Sequence, residues 1–139
     1  MFFQRAATVE GAPVVWDYHV FVIAREGRGW SVWDPDTTLE CPVLLVHYLA
    51  STFPEMRRVA LRPVFRVMNA QTYISNFSSD RRHMRNPAGE YSAPPPPWPA
   101  IVRDGIGSNL ESFLSLDEPF VGDVLDLTSF SQRFATDDD

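Results

Sequence analysis

The run Val14-Val15-Trp16-Asp17-Tyr18-His19-Val20-Phe21-Val22-Ile23-Ala24 decides the fold, together with Glu26-Gly27-Arg28-Gly29 and the returning Trp30-Ser31-Val32-Trp33-Asp34. β-Branched and aromatic residues dominate the first run, which is the composition of a strand. Alternation places Trp16, Tyr18, Val20 and Val22 on one face, and Asp17, His19, Phe21 and Ile23 on the other. Both faces are largely apolar, so residues 14–24 are expected to form a central strand covered on both sides. Glu26-Gly27-Arg28-Gly29 is a hairpin signal, with residues 30–34 returning. A strand of this kind so early in the chain needs cover from later segments or from something that preceded it.

Working outward, Gly11-Ala12-Pro13 reads as a turn, and residues 35–42 as a loop. Residues 43–53 carry Leu45, Tyr48, Leu49 and Thr52 at helical spacing. Residues 64–68 suit a short strand, and Asn69 is placed to cap a helix from Ala70 to about Phe77. Residues 78–100 are polar and then proline-rich, an ordered surface crossing. Residues 109–116 and 128–134 read as short helices, with a strand over 121–127 between them, and Asp137 to Asp139 as a solvated tail. The pattern is α+β: an antiparallel sheet begun by a hairpin and flanked by helices, in one domain over residues 1–139.

Composition sets limits on function. The chain has 139 residues, 45% apolar, with a net charge of -6, so it fits one compact domain and carries no basic stripe for nucleic acid. Its one cysteine leaves no internal disulfide and no thiolate-rich zinc site. The longest apolar run, residues 20–24, falls far short of the roughly 20 residues that cross a bilayer. Arg5 interrupts the N-terminal apolar residues too early for a secretory signal, so a reducing cytosol is the expected setting. The three histidines have no metal-ligand spacing.

The hairpin makes one chemical suggestion. With the turn centred between Glu26 and Gly27, opposed residue numbers sum to 53, and His19 lies across from Asp34 on the same face. An imidazole Nδ1–H could then donate to the carboxylate, which is how a catalytic histidine is oriented and its charged form stabilised. A three-residue loop would turn Asp34 to the other face. The pair equally suits a satisfied buried polar contact, and a histidine with an aspartate specifies no reaction without a nucleophile.

Residues quoted from the chain then narrow the choice. Trp16-Asp17-Tyr18-His19-Val20 resembles the signature pentapeptide of the protein N-terminal glutamine amidohydrolases. The resemblance continues through Asp34-Pro35-Asp36-Thr37-Thr38-Leu39, Phe65-Arg66-Val67, Tyr73, Asn76-Phe77, Ser79-Asp80-Arg81, His83-Met84, Pro94-Pro95-Pro96-Pro97 with Pro99, Asn109-Leu110, Phe113 and Arg133-Phe134. It implies a cofactor-free cysteine hydrolase that converts N-terminal Gln of proteins to Glu and releases ammonia, within an N-degron pathway. It also implies an α/β sandwich related to papain-like and transglutaminase-like enzymes, with a triad in the order Cys, His, Asp. By motif, the histidine is His19 and the aspartate Asp34.

In the family, the nucleophilic cysteine lies upstream of the pentapeptide, and no residue before Trp16 is a cysteine or a serine. The chain therefore resembles the C-terminal two-thirds of such an enzyme, expected to be inactive alone. Cys41 follows Asp34 by a loop and does not match the family's nucleophile; it reads as a structural cysteine unless the loop returns it to His19. Asp17 and Asp36 are candidates to face the free α-ammonium of a substrate. The implied partners are proteins or peptides beginning with Gln, without nucleic acid or membrane, for a monomer in the cytoplasm and nucleus. The rival reading is a non-catalytic remnant that binds peptide N-termini or a partner.

The proline run could present polyproline II to an SH3- or WW-type domain, or pack on its own chain. Gly105-Ile106-Gly107-Ser108-Asn109-Leu110 has Leu where a dinucleotide loop needs its third glycine, and reads as a turn with a helix cap. Asn76-Phe77-Ser78 is a glycosylation sequon, idle in a cytosolic protein. Arg81, Arg82, His83 and Arg85 read as a solvated or ion-paired loop.

Overall fold

The computed structural model describes residues 1–27, 29–54 and 62–135; the expected tail at Asp137 to Asp139 lies outside them. The architecture is mixed α+β with small sheets and four helices. Strands β1 (Val22–Glu26), β2 (Gly29–Trp33) and β3 (Val43–Leu44) form an antiparallel sheet with β2 in the centre. Strands β4 (Val64–Val67) and β5 (Asp123–Asp126) pair in a second sheet. The helices are α1 (Leu45–Thr52), α2 (Ala70–Asn76), α3 (Leu110–Leu114) and α4 (Leu127–Phe134). By packing, the chain divides into two compact units, Met1–Phe65 with Leu125–Asp139, and Arg66–Val124.

In the first unit, Val32 of the central strand is fully buried beneath α1, which presents Leu45, Tyr48, Leu49 and Thr52 at the helical spacing read from the sequence. Phe130 of α4 completes this core and contacts Phe21, Phe65 and Phe134, while Phe134 meets Trp30 of β2 edge-on. Asp126 caps α4 by accepting the Ser129 N–H at 2.7 Å.

Three expectations need correction here. The first strand begins at Val22 rather than Val14, and residues 14–21 lead into it without strand structure. Strand β1 is an edge, and only one face of its sheet is covered. Val22, Trp33 and Leu44 share the other face and stay 57%, 46% and 50% exposed. The physical reason is that the helices of this unit stack on the Val32 face, and among the described strand residues only Ser31 is buried on the opposite one. Finally, Val43 and Leu44 extend the sheet before the helix starts, because they pair with Val32 and Ser31.

The hairpin register is Val22↔Trp33 through Glu26↔Gly29, so opposed numbers sum to 55 rather than 53. Gly27 supplies the positive φ, 64°, that the two-residue connection requires. A slip of two residues in the sum keeps every side chain on its expected face.

The second unit has little regular structure and is tied together by arginines. Arg66 donates to the carbonyls of Phe113, Val121 and Ser115. Arg103 donates to those of Phe77 and Ile74 at the end of α2. Arg81 reaches Pro96, Trp98 and Pro99 at 3.1, 2.7 and 3.1 Å, so the proline run is held by its own unit. Arg82 pairs with Asp80 at 2.6 Å, as the ion-paired reading expected, whereas Arg85 donates to the Gly89 carbonyl and the Tyr91 hydroxyl.

Asn69 caps α2 as expected, accepting from Thr72 N–H at 2.7 Å. Asn109 precedes α3 but makes no such cap. Its amide instead accepts from Ser78 N–H and donates to the Asn76 carbonyl. The Gly105 segment is a turn closed by Ile106 N–H to the Arg103 carbonyl, so the turn is as read but its side-chain helix cap is not formed. Gly122, at φ 86°, lies where a Cβ would come within 2.6 Å of the Val67 carbonyl, so no larger residue fits without movement.

Candidate active site

Asp34 is the centre of the site, and its position follows from the turn that ends β2. In Asp34-Pro35-Asp36-Thr37, Pro35 presets the second position, and Thr37 N–H closes the turn on the Asp34 carbonyl at 3.3 Å. The Asp34 side chain folds back to accept Asp36 N–H on Oδ1 at 2.9 Å. His19 Nε2 meets the same oxygen at 2.9 Å, and Tyr48 Oη–H donates to Oδ2 at 2.7 Å. At 1% exposure, this carboxylate has left water, but both oxygens are satisfied by donors, which is the condition for a buried charge to persist.

The ring of His19 is fixed from several sides. Trp16 stacks on it with centroids 5.1 Å apart, and the Trp16 indole N–H is held by Gln4 Oε1 at 3.3 Å. Phe21 lies against its other flank at 6.4 Å. Because Nε2 takes Asp34, the nitrogen in contact with the carboxylate is the reverse of the Nδ1 expected from the hairpin. Strand β1 begins only at Val22, after His19, and the ring reaches Asp34 from an irregular segment, not from a directly opposed ladder position. Nδ1 is left as the second ring nitrogen, 4.0 Å from Asp36 Oδ2.

Residues 1–5 brace this turn, although their sequence carried no pattern. Arg5 N–H donates to the Asp36 carbonyl at 2.7 Å, Thr38 N–H to Phe3 at 2.8 Å, and Thr37 Oγ1–H to Phe3 at 3.1 Å. Phe3 adopts φ 53°, a region costly for a bulky residue, and its carbonyl receives both of those donors. Gln4 is buried in this layer. Sequence reasoning missed Gln4 and the polar role of Tyr48. The single available signal was that Tyr48 brings a hydroxyl to an otherwise apolar helical stripe, where a buried phenol needs a partner.

A depression of about 370 Å³ beside the imidazole is lined by Trp16, Asp17, Tyr18, His19, Val20 and Asp36. The structure thus brings His19 and Asp34 together and sets Asp17 and Asp36 at the adjoining surface. Cys41 is exposed, and it does not join the convergent ligand atoms of His19, Asp34 and Asp36, which lie within 4.8 Å of one another. Asp34 spends both oxygens on protein donors, so this trio operates as a hydrogen-bonded network. Chemically, it offers an imidazole with one nitrogen oriented by a buried carboxylate and the other available for proton transfer.

An α+β scaffold carrying a carboxylate-oriented histidine at a surface depression defines a class: sites able to perform general acid–base chemistry. The comparisons narrow that class. A profile described as N-terminal glutamine amidase matches residues 1–134, and the chain belongs to that family. It is similar to the human protein N-terminal glutamine amidohydrolase, 38% identical over 143 residues covering 96% of this chain and 66% of the relative. The Arabidopsis thaliana protein of the same name is 38% identical over 119 residues, 81% of this chain and 54% of the relative. That of Drosophila melanogaster is 39% identical over 137 residues, 94% and 66% respectively. The chain therefore spans just under two thirds, or about half, of the length of these curated relatives.

Proposed function

We propose that this chain supplies the histidine–aspartate part of a protein N-terminal glutamine amidohydrolase, which hydrolyses the side-chain amide of an N-terminal Gln to Glu and ammonia. The observation that carries the reading is the 2.9 Å hydrogen bond between His19 Nε2 and the buried Asp34, inside the motifs of a chain 38% identical to the human relative. A cysteine thiolate attacks the amide carbon, forming a C–S bond. His19 gives the departing nitrogen its proton, the C–N bond breaks, and ammonia leaves. His19 then takes a proton from water, whose oxygen attacks the thioester and releases the thiolate. Asp34 orients His19 and stabilises its charged form throughout. Asp17 and Asp36, at the rim of the depression, are suited to the substrate α-ammonium.

The thiol is proposed to come from a segment outside these residues, since the chain's single cysteine, Cys41, is not at the histidine. In that arrangement the fold is an α/β sandwich of the papain and transglutaminase type, working as one domain and as a monomer in the reducing cytoplasm and nucleus. The position of Cys41 outside the His19, Asp34 and Asp36 group favours a second reading, a module that binds peptide N-termini without turnover.

The test is an ammonia assay with a Gln-initiated peptide. The chain alone is expected to release none. Joined behind the part of the human relative that precedes the matched region, it is expected to turn the peptide over, and His19→Ala in that fusion should abolish turnover. Peptide binding without ammonia release from the folded fusion would select the second reading. Turnover by the chain alone that vanishes in Cys41→Ser would assign the nucleophile to Cys41.

A further inference from the structure

The structure assigns Tyr48 as a positioning residue for His19: its phenol holds the far oxygen of Asp34 and sets the charge that the near oxygen presents to the imidazole. This deepens the amidohydrolase reading and rests on His19 being the proton carrier.

The geometry is specific. Tyr48 is 0% exposed, and its Oη–H donates at 2.7 Å to Oδ2, while Oδ1 receives His19 Nε2 and the Asp36 N–H. Helix α1 delivers the phenol from the side opposite the histidine, so the carboxylate lies between two side chains that never need to touch. Burial, and then the hydrogen bond to Asp34, raise the phenol's pKa above its ordinary value, so Tyr48 remains a donor. A hydrogen bond to the anion disperses its charge. Removing it makes the carboxylate a stronger base and deepens its attraction for the imidazolium. Charged and titratable groups facing His19 are Asp34 and Asp36, with Asp17 at the depression rim.

The test is an NMR titration of the three histidines in the full chain, with His19 assigned through His19→Gln. Tyr48→Phe keeps the ring and removes only the hydroxyl. The His19 midpoint is expected to rise by about half a pH unit, roughly a threefold change in its acid constant, while His47 and His83 hold their positions and report an intact fold. An unmoved His19 midpoint would overturn the role and leave Tyr48 as core packing. In an Asp34→Asn background, Tyr48→Phe should no longer move His19; an equal shift there would show a route other than Asp34 and also overturn it.

One measurement needs no variant. The Tyr48 ring carbon that bears oxygen should show no ionisation through about pH 11, and ionisation at the ordinary phenol value near 10 would count against the contact. None of these readouts requires turnover. Tyr48 can therefore fail while His19→Ala still abolishes ammonia release in the fusion, and a failure of the amidohydrolase reading would leave the titration result standing.

Discussion

The two compact units of this chain solve the same problem with different chemistry. The first closes on an aromatic core: Phe21, Tyr48, Phe53, Phe65 and Phe130 meet one another at centroid distances between 4.4 and 6.5 Å. Among the described residues it holds the three-stranded sheet and the two eight-residue helices, and its polar side chains His19, Asp34 and Tyr48 bond one another. The second has few such elements and many carbonyls that regular structure does not pair. Arg66, Arg81 and Arg103 supply the donors, two or three carbonyls apiece. In the first unit polar side chains converge on one buried carboxylate; in the second, arginines tie distant carbonyls together.

The comparison breaks first, if it breaks, at Phe130. Phe130→Ala is expected to cost about 3–5 kcal/mol, measured by urea unfolding, because the cavity opens among Phe21, Phe65 and Phe134. A cost below that of any arginine variant would show the aromatic core to be the lesser tie. Next comes Arg66→Leu, which leaves three carbonyls without a donor and is expected to cost about 2–3 kcal/mol. Arg66→Lys should recover less than half of this by the same measurement, since one ammonium cannot reproduce a planar fork.

Much of the first unit was legible because its signals are local. The alternation in residues 20–24, the Gly27 turn and the Leu45, Tyr48, Leu49, Thr52 stripe each report a period or a backbone demand. Hairpin parity pointed to His19 and Asp34, and they do meet, but both lie outside the ladder and the contact is made from the irregular segment before β1. What stayed hidden is non-local. The bracing of Asp36 by residues 3–5 is backbone pairing, to which any side chain could have lent itself. The nitrogen chosen by Asp34 depends on the irregular path of residues 14–21, and no periodicity records that. Arginine bonds to distant carbonyls in the second unit are equally silent, since an arginine reads as solvated until its partners are known.

Smaller effects sharpen the contrast. Asn69→Ala removes the cap of α2 and should lower stability by about 1 kcal/mol in thermal unfolding, with Asn69→Gly costing less. At the low end stands Asp80. The Arg82 guanidinium beside it holds its carboxyl down at about 2, so its favourable contribution is present above the unfolded value of 3.8 and is lost as pH falls from there through 2. Arg82→Gln should return the Asp80 titration, followed by carboxyl NMR, toward its ordinary value. Because the pair is exposed, unfolding at neutral pH should change little.

The indole stacked on His19 has a use beyond packing. A charged imidazole in van der Waals contact with an indole drains its excited state, so Trp16 makes the proton on His19 optically visible. Emission from this chain should dim as His19 takes up its proton, and Trp16→Phe should remove that pH response while the other three tryptophans continue to glow.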